Sequence, residues 1–227
     1  MESTDGHMRM GLFGGTFNPV HLGHLQVIGE VKEIFHLDRI YIIPAAQPPH
    51  KHVSEVVAAA DRLNMVRLAF GNLPGYVVSD VEILRSGPSY TIDTFRHFRS
   101  VLPDSAMLAL VLGLDAFLEI DTWKYFRELL RLVPMIVMSR PQCPIGELSA
   151  QEAVERYLRD RISPDYRHDP EGGCYVHPVH QRIYSATVSP VDISATVVRE
   201  AVKNRRNIRG LVPDRVADYI EKKGLYT

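Results

Sequence analysis

The sequence has few cysteines, no long apolar run and almost no net charge. Cys143 and Cys174 are far apart and lack CxxC spacing, so neither a disulfide framework nor a thiolate metal site is expected. No apolar run is long enough to span a bilayer, and the polar opening lacks the order of a signal peptide. The 26 basic and 27 acidic side chains create no field for nucleic acid or an anionic membrane. We therefore expect a cytoplasmic protein with neither kind of partner.

The length and composition predict one compact domain. A chain of 227 residues that is 45% hydrophobic can bury a sizeable core. We predict a single domain over 9–227, whose residues 193–227 form a C-terminal helical subdomain. Residues 1–8 are assigned to a leader or to a remnant of an expression vector. The sequence leaves open whether the protein forms a homo-oligomer.

Short apolar runs alternate with stretches of helical periodicity. This order predicts an α/β fold with a doubly wound, mainly parallel, Rossmann-like sheet and a helical C-terminal appendage. A strand is also predicted over 76–83, where acidic residues indicate a sheet edge or a solvated face. Residues 142–181 have the weakest pattern, with a helix over 150–161 and then a polar, turn-rich segment. The remaining strands are expected at 10–13, 39–44, 107–112, 133–138 and 182–188.

A glycine-rich turn joins the first predicted strand to the first helix. Residues 14–24 read GGTFNPVHLGH, in which the glycines free the backbone to turn and approach a ligand. Asn18 is expected to cap the helix, with Pro19 at its first position. His21 and His24 then share a face near the helix start, where unpaired N–H groups favour an anion. Because no cysteine or acid accompanies the histidines, we prefer a phosphate site to a metal site.

A second anion site is expected where residues 193–199 read ISATVVR. Ser194 and Thr196 place two hydroxyls at a helix start, and Arg199 can neutralise charge from the next turn. Ordinary capping with a surface arginine explains this segment when it is taken alone. Phosphate binding is favoured more strongly once the first anion site is also considered. The chain nevertheless has neither a P-loop nor a dinucleotide fingerprint.

Together these segments resemble the nucleotidyltransferases that carry HxGH and ISxTxxR motifs. More narrowly, the chain resembles the bacterial nicotinate-nucleotide adenylyltransferases over nearly all residues after Met8, least over 142–181. Asn18 departs from the commoner aspartate of that family. The further segments that carry the resemblance are Pro48-Pro49-His50-Lys51, Ser89-Tyr90-Thr91, Gly113-Leu114-Asp115, Thr122-Trp123 and Leu225-Tyr226.

The resemblance implies a reaction of NAD biosynthesis. AMP would pass from ATP to nicotinic acid mononucleotide, giving nicotinic acid adenine dinucleotide and pyrophosphate by direct in-line attack without a covalent enzyme intermediate. Mg²⁺ would be held mainly by ATP phosphates and water, with no protein ligand. Two alternatives stay open: an adenylyltransferase of this fold that uses nicotinamide mononucleotide or pantetheine phosphate, and a nucleotide sensor without turnover.

The same resemblance implies the roles of individual residues. For Asp115, a role as helix cap has equal weight; for Trp123, the alternative is a residue that fills the core. The implied catalytic residues are His21, His24 and Arg199. The implied ATP site comprises Gly14, Gly15, Thr16, Phe17, His21, His24, Gly113, Asp115, Ser194, Thr196 and Arg199. The implied acceptor site comprises Lys51, Ser89, Tyr90, Thr91, Trp123 and Lys124, whose donors would favour a carboxylate over a carboxamide.

Overall fold

Helices flank short, mostly parallel strands in the computed structural model, which describes residues 7–47, 56–139 and 148–227. The strands are β1 (Arg9–Gly15), β2 (Arg39–Pro44), β3 (Tyr76–Val78), β4 (Met107–Gly113), β5 (Met135–Ser139), β6 (Arg167–Asp169), β7 (Cys174–Val176) and β8 (Ile183–Thr187). The α-helices are α1 (Leu22–Ile34), α2 (Ala59–Phe70), α3 (Val81–Leu84), α4 (Thr91–Val101), α5 (Leu114–Phe117), α6 (Phe126–Leu132), α7 (Ala150–Tyr157), α8 (Ala195–Lys203) and α9 (Asp214–Lys223).

These residues form two compact units. The first combines the described residues of 1–13, 30–38 and 90–190, and the second combines those of 14–29, 39–89 and 191–227. None of the helices in the described part of the chain has both the length and the apolarity needed to cross a membrane.

The first unit is organised around a mixed sheet. Its strands lie in the order β1, β4, β5, β8, β7, β6. The four strands β1, β4, β5 and β8 pair in parallel, whereas β7 and β6 continue the sheet in antiparallel fashion. The central strands are buried along nearly their whole length, as expected for parallel strands covered on both faces.

The second unit contains the parallel pair β2 and β3 and the helices α2, α8 and α9. Helix α2 packs on both strands, and α9 packs on α2. The Tyr219 hydroxyl on α9 donates to Asp61 Oδ1 at 2.7 Å and accepts from Asn64 Nδ2 at 3.1 Å, both on α2. The last helix, α9, is therefore tied to α2.

The predicted α/β class, with a mainly parallel sheet and flanking helices, is confirmed. The strand predicted over 76–83 is wrong beyond residue 78, because the chain turns there and forms α3. The segment predicted as polar loop over 164–180 contains β6 and β7. Strands of three residues are too short to show a period of two in the sequence.

Candidate active site

The turn that follows β1 is made by Phe17 rather than by the glycines. Neither Gly14 nor Gly15 has a positive φ, whereas Phe17 adopts φ 50°. A Cβ on Gly15 would lie 3.1 Å from the Phe17 ring, so glycine is needed there for packing. A Cβ on Gly14 would meet no described atom within 4 Å, so a ligand could approach the backbone at this point.

Asn18 does not cap the first helix, and the prediction that it does is wrong. Helix α1 begins at Leu22, and the Asn18–Pro19 peptide bond is cis. The Asn18 side chain is buried, and its Oδ1 accepts from the Val57 N–H at 3.2 Å and from the Tyr226 hydroxyl at 3.0 Å. Asn18 therefore joins the turn to two segments distant in sequence, which a local motif cannot reveal.

The two histidines meet, as predicted. Their ring centroids are 3.7 Å apart, and the buried Phe17 ring lies against His24 with its centroid 5.1 Å away. The His21 N–H donates to His24 Nδ1 at 3.2 Å, so in the neutral His24 ring the proton is assigned to Nε2. His21 is buried and His24 is partly exposed. His24 thus offers an N–H donor of fixed tautomer.

Gly23 allows the chain before α8 to approach the histidine turn. A Cβ at this position would lie 2.9 Å from His21 Nδ1 and 3.3 Å from the Ile193 carbonyl oxygen. The Leu22 N–H, at the start of α1, also donates to the Leu211 carbonyl at 2.9 Å. The glycine of the HxGH segment therefore has a steric reason, which is first the His21 ring and then the carbonyl of Ile193.

The start of α8 faces the same turn through Arg199. Its Nη1 donates to the Asn18 carbonyl at 2.9 Å, across 181 residues of sequence, and its Nη2 donates to Thr196 Oγ1 at 3.2 Å. Ser194 is the N-cap of α8, where its Oγ accepts from the Val197 N–H at 3.2 Å. Ser194 and Thr196 are exposed. The structure thus brings together the two segments in which anion sites are predicted.

Ser89 has a structural partner in the same unit. Its Oγ accepts from the Ala46 N–H at 2.9 Å, and its own N–H donates to the Gln47 carbonyl at 3.1 Å. These bonds fix the chain that follows β2. Lys51, assigned to the acceptor site, lies outside the described residues.

In the first unit, the segments assigned to the acceptor are linked by a cation. Lys124 Nζ lies 3.2 Å from Asp93 Oδ2 and 4.3 Å from the centroid of the Tyr90 ring. Thr91 is the first residue of α4. Trp123 is partly exposed, so part of its ring surface can be reached from solvent. The contacts of the Lys124 side chain with Asp93 and Tyr90 are not predicted from the sequence.

Asp115 folds back over Gly113 in this unit. Its Oδ1 lies 2.5 Å from the position that a Cβ on Gly113 would occupy, so a larger residue at 113 would displace the Asp115 carboxylate. The N-cap of α5 is Gly113, and no side chain caps the helix. Asp115 therefore does not act as the cap, which leaves its exposed carboxylate for another role.

Arg62, on α2, is a further residue near this turn that is not predicted as a site residue from the sequence. Its side chain is buried and donates to three backbone carbonyls, those of Thr16, Ala46 and Val57. The available signal was an arginine in register with the apolar stripe of a helix, since its neighbours at three, four and seven residues are Met65, Val66 and Ala69.

Among the described residues, no group of three or more His, Cys, Asp or Glu side chains could hold a metal ion. At residue 18, where the resembled family commonly has aspartate, the amide oxygen is occupied by the Val57 and Tyr226 donors. The donors around the turn, His24 and Arg199, suit phosphate oxygens rather than a divalent cation.

The sequence matches known proteins over almost its full length. A cytidylyltransferase-like family model matches residues 12–201. A probable nicotinate-nucleotide adenylyltransferase of Desulfatibacillum aliphaticivorans is 42% identical over 221 residues, which cover 96% of this chain and 100% of that protein. A protein of the same description from Acidithiobacillus ferrooxidans is 39% identical, with 97% and 96% covered.

The fold matches solved structures of distant sequence. The nicotinic acid mononucleotide adenylyltransferase of Plasmodium falciparum, solved as a complex with NaAD, has a TM-score of 0.72 at 17% identity, covering 97% of this chain and 98% of that one. At this identity the likeness concerns the fold alone.

Proposed function

The chain belongs to the nicotinate-nucleotide adenylyltransferases within the cytidylyltransferase-like family, and we propose how its residues divide the work of AMP transfer. It is a nucleotidyltransferase that joins ATP to nicotinic acid mononucleotide. The observation that carries the proposal is the hydrogen bond from Arg199 to the Asn18 carbonyl, because it holds two candidate phosphate-binding segments together.

The phosphate-binding residues lie in the second unit. His24 Nε2–H, the Arg199 guanidinium and the N–H groups at the start of α8 are the donors for ATP phosphates. The acceptor phosphate attacks the α-phosphorus directly, so the protein supplies no nucleophile. Its contribution is to orient two polyanions and to stabilise the charge that develops on the leaving pyrophosphate. Gly14, Gly15, Thr16 and Phe17 complete this part of the proposed ATP site.

Residues of the first unit are proposed to bind the remaining parts of the substrates. Gly113 and Asp115 are assigned to the adenosine moiety of ATP. The partly exposed Trp123 is assigned to stacking on the nicotinate ring, and Thr91, Tyr90 and Lys124 to the acceptor. We assign Ser89, of the second unit, and Lys51 to the acceptor as well.

The proposed acceptor groups favour the acid form of the acceptor. Lys124 is a cation, and backbone N–H groups are donors, so both interact better with a carboxylate than with a carboxamide NH₂. We therefore expect kcat/KM for nicotinic acid mononucleotide to exceed that for nicotinamide mononucleotide. Equal values would remove this specificity from the proposal.

The described residues do not fit a built metal site, so we assign no protein ligand to Mg²⁺. We propose that the ion enters with ATP, coordinated mainly by phosphate oxygens and water. A cytoplasmic location, the lack of nucleic-acid and membrane partners, the homo-oligomeric state and the single domain over 9–227 stay predictions.

An acceptor panel tests the function. The chain, ATP and Mg²⁺ are incubated separately with nicotinic acid mononucleotide, nicotinamide mononucleotide and pantetheine phosphate, and pyrophosphate release is measured while mass spectrometry identifies the product. Nicotinic acid adenine dinucleotide should form fastest. Faster reaction with another acceptor would reassign the substrate, and ATP binding without pyrophosphate release would make the chain a sensor.

A further inference from the structure

Arg62 is a buried cation in which each of the three side-chain nitrogens donates to a backbone carbonyl. Only 1% of its surface is exposed. Nη1 donates to the Thr16 carbonyl at 2.7 Å, Nη2 to the Ala46 carbonyl at 3.0 Å, and Nε to the Val57 carbonyl at 3.1 Å. One side chain therefore joins the glycine-rich turn, the residues after β2 and the residues before α2.

Burying a charged guanidinium costs free energy that a residue serving only packing would not need to spend. Among the described residues, no carboxylate forms an ion pair with Arg62, and burial lowers the pKa of its guanidinium. An apolar side chain in the same stripe of α2 would bury no charge. Lysine, a single point of charge, lacks the planar set of N–H donors that reaches three carbonyls at once. The position therefore requires the shape of the guanidinium group.

The three carbonyls belong to segments that lead to the candidate site. Thr16 lies two residues before Asn18, whose Oδ1 accepts from the N–H of Val57, a residue that Arg62 also holds. The Asn18 carbonyl in turn accepts from Arg199 Nη1. A continuous series of hydrogen bonds thus runs from Arg62 through Val57 and Asn18 to Arg199.

We propose that Arg62 is a positioning residue for AMP transfer. By fixing the backbone of residues 16–18, Arg62 holds Arg199 and the pair His21 and His24 in place for the ATP phosphates. Arg62 acts through the turn and does not touch the substrate. The inference rests on the proposed function, since it assigns the turn to the phosphates of ATP.

The test compares Arg62→Lys and Arg62→Gln with a packing control, Phe70→Leu. Phe70 is fully buried on α2 two helical turns from Arg62, so its truncation lowers stability without touching the three carbonyls. We expect both Arg62 variants to lose tenfold or more in kcat/KM, mainly in kcat, measured well below their thermal midpoints. Phe70→Leu should keep the wild-type kcat and KM despite a lowered midpoint.

A second readout does not depend on activity. Amide hydrogen exchange in residues 14–21 should become at least tenfold faster in Arg62→Lys than in the wild type, while exchange in Phe70→Leu should stay unchanged there. The inference would be overturned if Arg62→Lys kept the wild-type kcat/KM or lost no more kcat than Phe70→Leu. It would also be overturned if amide exchange in residues 14–21 of Arg62→Lys were unchanged. Failure of Arg62→Lys to fold would overturn it too, because the residue would then serve the fold as a whole. If the wild-type chain forms no pyrophosphate, the proposed function is refuted instead. The exchange comparison would then still test whether Arg62 fixes the backbone of the turn.

Discussion

Replacing Ser194 by aspartate separates helix capping from phosphate binding. Ser194 Oγ caps α8 by accepting from the Val197 N–H, and aspartate is about as good an N-cap as serine. Ser194→Asp therefore keeps the helix but places a negative charge at the proposed binding site for the ATP phosphates. If Ser194 only caps the helix, the substitution should leave ATP binding unchanged.

The expected effect follows from Coulomb's law. Two unit charges 4 Å apart interact by about 4 kcal/mol at an effective dielectric constant of about 20. Because Ser194 is exposed, solvent and salt weaken the repulsion, and we take about half of that value, about 2 kcal/mol. At about 1.4 kcal/mol for each factor of ten, the KM for ATP should rise about thirtyfold. The thermal midpoint should stay within about 2 °C of the wild type, since the cap is retained.

Two alanine variants serve as controls. Ser149 caps α7 in the first unit, where its Oγ accepts from the Glu152 N–H at 3.2 Å. Ser149→Ala and Ser194→Ala should each lose about 1 kcal/mol of stability, or about 2–4 °C in midpoint, and Ser149→Ala should keep the wild-type KM. The assay is initial-rate pyrophosphate release at varied ATP and saturating acceptor. A folded Ser194→Asp enzyme with the wild-type KM for ATP would refute phosphate binding at the start of α8.

Three further outcomes follow from the contacts. His24→Ala should lower kcat/KM for pyrophosphate release at least about tenfold without a matching fall in midpoint, and retained activity would remove His24 from the mechanism. Tyr226→Phe deletes the donor to Asn18 Oδ1 and should cost about 1 kcal/mol in urea unfolding; an unchanged unfolding free energy would show that the bond adds no stability. In the first unit, hydrogen bonds from Tyr157 and then Arg161 lower the pKa of Asp121. A lowered folded pKa stabilises the fold above the unfolded pKa of about 3.9, so the stability advantage of the wild type over Asp121→Asn should disappear as the pH falls through the folded pKa. An advantage that persists or grows in acid would contradict this assignment.

The sequence predicts what depends on local pattern. The buried strands are predicted from apolar runs in the sequence. The proximity of His21 and His24 is predicted from their spacing of three residues at the start of a helix. The N-cap of α8 is also predictable, because serine before an apolar periodic segment is a local signal. These features need only neighbours within a few residues.

The rest depends on contacts between segments far apart in sequence. Asn18 looks like a helix cap, yet its oxygen is taken by Val57 and Tyr226, 39 and 208 residues away. The steric need for Gly23 comes partly from the distant Ile193 carbonyl, 3.3 Å from a Cβ at this position, in addition to the nearby His21 ring. Lys124, in the turn before α6, belongs to the same class, since its partner Asp93 lies on α4, 31 residues away. Local periodicity carries no information about such partners.

The neutral side chain at residue 18 is consistent with the charges around it. Its oxygen needs only to accept from a backbone N–H and a hydroxyl, which an amide and a carboxylate can both do. The difference between the two is therefore charge. Arg199 donates to the Asn18 carbonyl, and Arg62 donates to the carbonyl of Val57, whose N–H contacts the Asn18 side chain. A carboxylate at residue 18 would therefore offset part of the positive potential of these two guanidinium groups. With asparagine, the turn keeps the same hydrogen bonds, and under the proposed function more of that potential is left for the phosphates of ATP.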